Sequence, residues 1–354
     1  MALTIEQQPS IHTGAFGRNV IRVSTDSGEV KRIKYELVYD SNVIATQFSP
    51  IFAYLGEITL GDPQGIFNIS GLYSSFLPYY NNPIKGLTAN FTQIDAVHHQ
   101  KLITDKIDEV GADGTTSLNR RIYKAVDTKY GISTFWNAGG TQRFLAYNRS
   151  KDNKVVRHAF QGQHIPIAYY NANTTTGLYI QITNADGTSN LGLTNINQFY
   201  RVANWKVNTV HEYNVISVGN SQVNLELIVD NNKYKRTKTL YFLNRFGGWE
   251  WYNFLDYDKV IRSNKSQYTK YINHQGDTDI QQIINGVVDE YKLYGRPLNG
   301  DYLYYLEDLI TSPIVLDEQG ERVRVLNNNI DVDGDDIFEP EITIQYIKED
   351  TITY

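Results

Sequence analysis

The dominant hydrophobic period along this chain is two. Ile33, Tyr35, Leu37 and Tyr39 alternate with Arg32, Lys34, Glu36 and Val38, the mark of a strand buried on one face. Short β-prone runs recur at 43–48, 143–147, 165–170, 177–183, 210–218, 225–229 and 240–243. Between them lie turn clusters: Asp62-Pro63-Gln64-Gly65, Asn81-Asn82-Pro83, Asn184-Ala185-Asp186-Gly187 and Asp230-Asn231-Asn232-Lys233. Asn, Asp and Gly supply the positive φ that tight hairpins require. The spacing predicts a mainly β chain of two or more antiparallel β-sandwich domains.

Helical spacing is confined to short stretches. Leu303, Leu306, Leu309 and Ile310 recur at intervals of three and four, Asn299 offers an N-cap, Asp301 suits a first turn and Pro313 ends the run. This predicts a short helix over 300–311, near the C-terminus. A second helix is expected over 72–77, after Ile69-Ser70. The run 280–288 is ambiguous because Asn285-Gly286 interrupts it.

The 354 residues suit two or three domains at about 100–200 residues each. The stretch 111–116 reads as a long loop, and 195–200 introduces a further domain beginning near Val202. The expected organisation is an N-terminal β-sandwich over 1–110, a β-rich middle over 111–200 that stands alone or completes the first, and a C-terminal β-sandwich with the helix over 201–354. Within the acidic stretch 331–349, residues 342–347 read as a final strand. The first 16 residues have little amphipathic pattern and read as an arm docking on a neighbouring subunit, whose removal would leave the isolated fold's stability nearly unchanged.

Composition narrows the function classes. A hydrophobic share of 41% excludes wholesale disorder. The absence of cysteine excludes disulfides, Cys-ligated zinc, iron–sulfur clusters and a thiol nucleophile. A net charge of −6 argues against a nucleic-acid partner, because phosphate binding rests on cationic neutralisation. The opening MALTIEQQPS has neither the basic region nor the apolar core of a secretory signal, and apolar runs such as 51–55 fall short of the ~18 residues of a membrane helix. A soluble chain without membrane insertion is expected.

The motifs of chemistry are sparse. The sequence has no phosphate-cradling loop, dinucleotide fingerprint, nucleophile elbow or HExxH. His98-His99, after Asp95, would point to opposite faces of a strand, so two surface histidines are the preferred reading over a metal pair. Asp331, Asp333 and Asp335 alternate as in a Ca²⁺ loop. However, Asp336 stands where the EF-hand pattern needs Gly, and Ile342 where it needs a bidentate Glu, so a solvated acidic turn is preferred. Lys233-Tyr234-Lys235-Arg236-Thr237-Lys238 reads as a charged hairpin strand that discourages edge pairing. Asp108-Glu109 forms no dyad that the sequence can place across a cleft. No residue is assigned a catalytic, cofactor-binding or metal-ligating role. The 27 Tyr and 14 Phe, with Trp136, Trp205, Trp249 and Trp251, suit either large protein interfaces or sugar stacking.

Three segments carry a resemblance. They are the strand 33–39 with Gly65-Ile66-Phe67-Asn68-Ile69-Ser70 and 72–77; Leu240-Tyr241-Phe242-Leu243-Asn244-Arg245-Phe246-Gly247-Gly248-Trp249-Glu250-Trp251-Tyr252-Asn253-Phe254; and Leu303-Tyr304-Tyr305-Leu306-Glu307-Asp308-Leu309-Ile310-Thr311-Ser312-Pro313-Ile314-Val315-Leu316. In that order they resemble virion structural proteins of tailed phages infecting Bacteroidota, including the crAss-like group, usually placed among tail or baseplate genes. Residues 90–200 carry no match.

The resemblance implies a non-enzymatic subunit of the tail, tail tip or baseplate without cofactors. It implies a homo-oligomer in a symmetric assembly that touches other tail or collar proteins, built in the host cytoplasm and residing in the virion. A single Met and no Cys fit a particle exposed to oxidation outside the cell. In physical terms, Gly247-Gly248 would make a tight corner and let Trp249 or Trp251 fold across the sheet. The helix would plug one end of the C-terminal sandwich, Pro313 would return the chain to an edge strand, and Asp317-Glu318-Gln319-Gly320 would turn it back into 322–325. The alternative is a host-surface glycan-binding adhesin, which predicts an aromatic-lined groove with converging Asn and Asp. A glycan-cleaving enzyme would need two carboxylates ~5–9.5 Å apart in a cleft.

Overall fold

A computed structural model describes residues 3–9, 12–15, 19–25, 32–50, 64–77, 82–94, 100–110, 115–123, 142–145, 154–171, 178–193, 200–219, 224–231, 236–271, 278–295, 301–327 and 342–348. The chain is mainly β, with short strands wherever the period-two runs were longest and two short helices among the described residues.

The N-terminal unit contains β1 (Leu3–Gln7), β2 (His12–Gly14), β3 (Val20–Thr25), β4 (Arg32–Tyr39), β5 (Asn42–Pro50), β6 (Gln64–Asn68) and α1 (Ser70–Phe76). The chain then leaves as β7 (Phe91–Ile94) and returns as β8 (Gln100–Glu109) and β9 (Thr115–Tyr123). Its sheets run β1-β3-β6 and β2-β9-β8-β4-β5, antiparallel except for the β2–β9 pair. Ile21, Val23 and Phe67 of the small sheet meet Ile33, Tyr35, Leu37, Ile103 and Ile107 of the large one.

Carboxylates share that apolar face, Asp105 at its centre and Glu109 beside Thr25. Asp105 is fully buried and accepts hydrogen bonds from Tyr35 Oη at 2.8 Å, from Tyr73 Oη at 2.7 Å and from Arg120 Nε at 2.7 Å. The guanidinium of Arg120 also donates to the Pro9 carbonyl and, at 3.3 Å, to Gln8 Oε1. Burial, aided by the Asp105 charge, pushes both phenols above their ordinary range, so they act as neutral donors.

The middle unit pairs β7 with β10 (Gln142–Phe144), β12 (His164–Asn171) and β15 (Tyr200–Lys206) in the order β10-β12-β15-β7. The facing sheet, β11-β17-β16-β13-β14, comprises β11 (Lys154–Phe160), β13 (Tyr179–Asn184), β14 (Gly187–Leu193), β16 (Tyr213–Val218) and β17 (Asn224–Asp230). Only its β11–β17 pair is parallel. Asn184 and Gly187 close the β13–β14 hairpin, as the turn chemistry requires.

The C-terminal unit is one antiparallel sheet, β19-β18-β22-β23-β24-β21-β20. Its strands are β18 (Lys238–Leu243), β19 (Trp249–Phe254), β20 (Asp256–Tyr271), β21 (Thr278–Gly295), β22 (Val315–Leu316), β23 (Arg322–Val325) and β24 (Ile342–Lys348). The helix α2 (Asp301–Thr311) lays Leu306 and Leu309 on Leu240, Phe242, Leu293 and Ile344.

Several expectations require correction. Among the described residues the layer packed on the C-terminal sheet within its own unit is a helix, and β18 is apolar on both faces. Leu240 and Phe242 turn to α2, whereas Tyr241 and Leu243 join the core of the middle unit. β22 lies inside the sheet between β18 and β23 instead of at an edge. Residues 280–288 form strand; Asn264 faces Gly286 and Lys265 faces Ile284, so Asn285 is a bulge and not a helix break. Gln64-Gly65 belongs to β6, Thr115-Thr116 to β9, and the strand expected from 210 begins at Tyr213. A division at 110 would separate β8 from β9, which pair from Gln100–Tyr123 to Asp108–Thr115. A division at 200 would part β15 from β12.

The N-terminal segment is no free arm. β1 pairs with β3, β2 pairs with β9, and Leu3 and Ile5 pack on the core. Its missing amphipathic signal reflects strands too short to show a period. Asp95, His98, His99, Trp136, Asn299 and the acidic turn 331–336 lie outside the described residues.

Removing residues 1–9 should lower unfolding stability by about 3 kcal/mol, because Arg120 would be left buried without two acceptors. Chemical denaturation of the truncated chain against the full chain measures it.

Candidate functional site

The two most distinctive sequence segments meet at a corner formed by residues 244–248. Asn244 is fully buried and uses its whole amide. Its Nδ2 donates to the Leu145 carbonyl at 2.7 Å and to Glu250 Oε1 at 3.1 Å, and its Oδ1 accepts from the amides of Phe246 at 3.0 Å and Gly248 at 2.8 Å. The two glycines do different jobs. Gly247 takes a φ of 80°, which closes the turn, whereas Gly248 permits close approach. A Cβ there would fall 1.8 Å from the Leu145 carbonyl oxygen.

Charge surrounds the corner. Arg157 of β11 grips Glu250 of β19 in a bidentate pair, at 2.8 Å from Nε and 3.0 Å from Nη2. Arg245 reaches α2, contacting Asp308 at 2.5 Å and Glu307 at 3.1 Å. Burial outweighs the Arg245 guanidinium and raises the Asp308 carboxyl to about 6, with the nearby Glu250 charge adding to the rise. The Leu243 amide donates to Ser312 Oγ at 3.0 Å, tying the corner to the end of α2. Trp249 and Trp251 pack in the middle unit's core, and Trp251 Nε1 donates to the His158 carbonyl at 2.7 Å. These groups hold domains together.

Two concave surfaces lie at one end of the middle unit. The first, of about 430 Å³, is lined by the apolar side chains of Phe91, Ile182, Leu191 and Trp205 and by Asn90, Asn184, Ser189, Asn190, Asn208 and Thr209. The second, of about 550 Å³, is lined by Tyr213, Glu212 and Glu226 among others. Asn184 and His211 line both, so they form the shared wall. His211 Nε2 lies 2.7 Å from Asp186 Oδ2. Asn214, itself buried, accepts from Thr209 Oγ1 at 3.1 Å and donates to the His211 carbonyl at 2.8 Å, fixing the wall.

Two further surfaces are exposed. Among the described residues β5 edges its sheet; it carries no charged residue, and Val43 and Phe48 are each more than half exposed. Beyond Asp289, β21 pairs only with β20 among the described residues, from Ile261–Asp289 out to Tyr271–Thr278. At 3.3 Å per residue this two-stranded ribbon extends about 35 Å past the rest of the sheet.

Of the residues singled out in the sequence, Trp205, Trp249 and Trp251 are all buried, and Trp205 alone of the three lines the first concave surface. Asp108 is tied to Lys34 at 3.1 Å and Lys106 at 3.3 Å on the outer face of the N-terminal sheet, and Glu109 points inward to Thr25. Arg236 sits over the Tyr257 ring at 5.0 Å, and Lys238 pairs with Glu318. Sequence reasoning missed Asp105, Arg157, Glu250 and Asp308. The readable signal for Asp105 was its place in phase with Ile103 and Ile107. Arg157 likewise stands in phase with Val155 and Ala159.

No known family model matches the chain, and no curated protein matches it. Among solved structures it is similar to the teleost fish polymeric Ig receptor ectodomain, with 6% identity over 65% of this chain and 99% of that one and a TM-score of 0.23. It is also similar to a tandem from titin, with 9% identity over 82% and 94% and a TM-score of 0.19. Domains 4–9 of the surface layer protein SbsC match at 12% identity over 91% and 54%, with a TM-score of 0.17. Similarity at this level says nothing of activity or partners. No described helix is long and apolar enough to cross a membrane.

Gly248→Ala should cost about 2–3 kcal/mol, since the new methyl meets backbone that cannot swing aside; the urea midpoint reports it. Asp308 gives a pH signature. Its native pKa of about 6 exceeds the unfolded value near ~4, so the native state binds the extra proton between them. Stability therefore falls as pH rises through that window, by at most about 1.4 kcal/mol per unit. Asp308→Asn should flatten this part of the profile, read from thermal melts between the two pKa values.

Proposed function

We propose that this chain is a non-enzymatic structural subunit of a phage virion, in the tail, tail tip or baseplate. It works through contacts with copies of itself and with neighbouring tail or collar proteins, and it is assembled in the host cytoplasm. The observation that carries this reading is the ribbon formed by 261–271 and 278–289, which has no third strand among the described residues. A two-stranded ribbon is marginal in water and gains stability when another strand or surface covers it. The uncharged edge of β5 supports the same reading, because edges that must stay solitary are usually guarded by charge. The three segments resembling virion proteins supply the particle, and their conspicuous residues serve the domain junction.

A shortened variant, in which Asn-Gly joins Arg262 to Val288, tests it. The thermal midpoint should stay within about 2 °C of the parent, since the removed strands brace no other described strand. Self-association by sedimentation and incorporation into purified particles should both be lost. A full chain that is monomeric in concentrated solution and absent from purified virions would overturn the reading.

A further inference from the structure

The adjoining concave surfaces of the middle unit have a chemistry that the assembly reading does not use. We propose that together they form a binding site for a neutral oligosaccharide. Three features point there.

The first surface combines an apolar lining with uncharged donors and acceptors. Phe91 is half-buried and lies against the backbone of Gly192, where a Cβ would come within 2.3 Å of the ring. The ring is therefore pressed against the backbone of β14, where it lines the hollow. The amides of Asn90 and Asn208 line the same surface, both exposed and making no side-chain hydrogen bond to another described residue. An Asn amide presents one donor group and one acceptor at a spacing that suits neighbouring hydroxyls, while an aromatic ring suits the C–H face of a pyranose.

Charge selects the ligand. Neither surface is lined by Lys or Arg among the described residues, while Asp186, Glu212 and Glu226 contribute carboxylates. Phosphates, sulfates and uronic acids would find no cation there, so the site favours uncharged sugars.

Shape sets the length. The two hollows, of about 430 and 550 Å³, share the wall of Asn184 and His211. Each has the size of a small-molecule cleft. A ligand crossing the wall occupies both, and the exposed Tyr213 offers a second ring on the far side. The wall is held before any ligand arrives, by the His211–Asp186 pair and the hydrogen bonds of Asn214, so little ordering entropy is lost on binding. A chain of several sugars should thus bind better than one.

The test titrates the full chain with neutral tetrasaccharides of glucose, mannose, galactose and N-acetylglucosamine, the matching monosaccharides, and a uronic-acid tetramer. Saturation-transfer NMR and calorimetry give the readout. At least one neutral tetrasaccharide should bind more tightly than its monosaccharide and the acidic tetramer. The double variant Asn90→Ala/Asn208→Ala should weaken it by about tenfold, with an unchanged melting temperature. Leu102→Ala, on the N-terminal unit, should leave binding intact. Absence of binding by all four tetrasaccharides, an equal response to the acidic tetramer, or affinity untouched in the double variant would each overturn the proposal. None of these outcomes bears on assembly, which the ribbon variant tests separately.

Discussion

The architecture turns on backbone meeting backbone at the corner of residues 244–248. Two polypeptide segments from different units approach so closely at Gly248 and Leu145 that no side chain fits between them. Such proximity buries peptide groups, and each must find a partner. Asn244 solves this locally, since one amide satisfies the turn on its own side and the Leu145 carbonyl opposite. The strands that flank the corner then have apolar residues in both phases. Tyr241, Leu243, Trp249 and Trp251 enter the core of the middle unit, and Leu240, Phe242, Tyr252 and Phe254 enter that of the C-terminal unit. Two domains thereby share one pair of strands as a common wall, and a hinge there would have to open both cores.

Other ties act in the same sense. The N-terminal and middle units exchange the chain more than once, because β7 leaves the first to pair with β15 before β8 returns. The segment following α1 is drawn into the stack: Ile84 is buried in the middle core, Asn204 Nδ2 donates to the Pro83 carbonyl at 2.9 Å, and Asn82 donates to the Gly320 carbonyl of the C-terminal unit. A loop that reads as polar in sequence is thus a brace. These ties hold the ribbon and the concave surfaces at fixed positions.

The fold was legible where one face of a strand met water. Ile33, Tyr35 and Leu37 alternate cleanly because the opposite face of β4 is solvated, and α2 was found from its leucines and its terminal Pro. Legibility failed where water was absent from both faces. β18 and β19 lose the alternation, so their sequence announces aromatic content without saying which neighbour lies on which side. Domain limits failed for a different reason, since β8 pairs with β9 across the short connection 110–114, which reads in sequence as a boundary loop, and β12 pairs with β15 across the long stretch 172–199. The corner's glycines were readable as a turn, but the role of Gly248 was not, because close approach is a property of two segments about a hundred residues apart. The concave surfaces were beyond reach for the same reason: Asn90, Asn184 and Asn208 come from three separate parts of the chain.

The ionic groups at the junction bring specificity more than strength. A buried pair such as Arg157–Glu250 gains little net free energy over an apolar pair of similar shape, because both ions are stripped of water. Breaking it is another matter, for a partly opened junction would leave both charges desolvated and unmatched, along with the Leu145 carbonyl. Partial opening therefore costs more than its lost contact area implies. Slipping β18 and β19 by one residue would also exchange the two faces, driving Thr239 and Asn253 toward the core now filled by Leu240 and Phe254. Apolar burial makes the joint stable, while the polar corner makes one alignment far better than its neighbours. In the symmetric assembly proposed above, that second property would matter as much as the first.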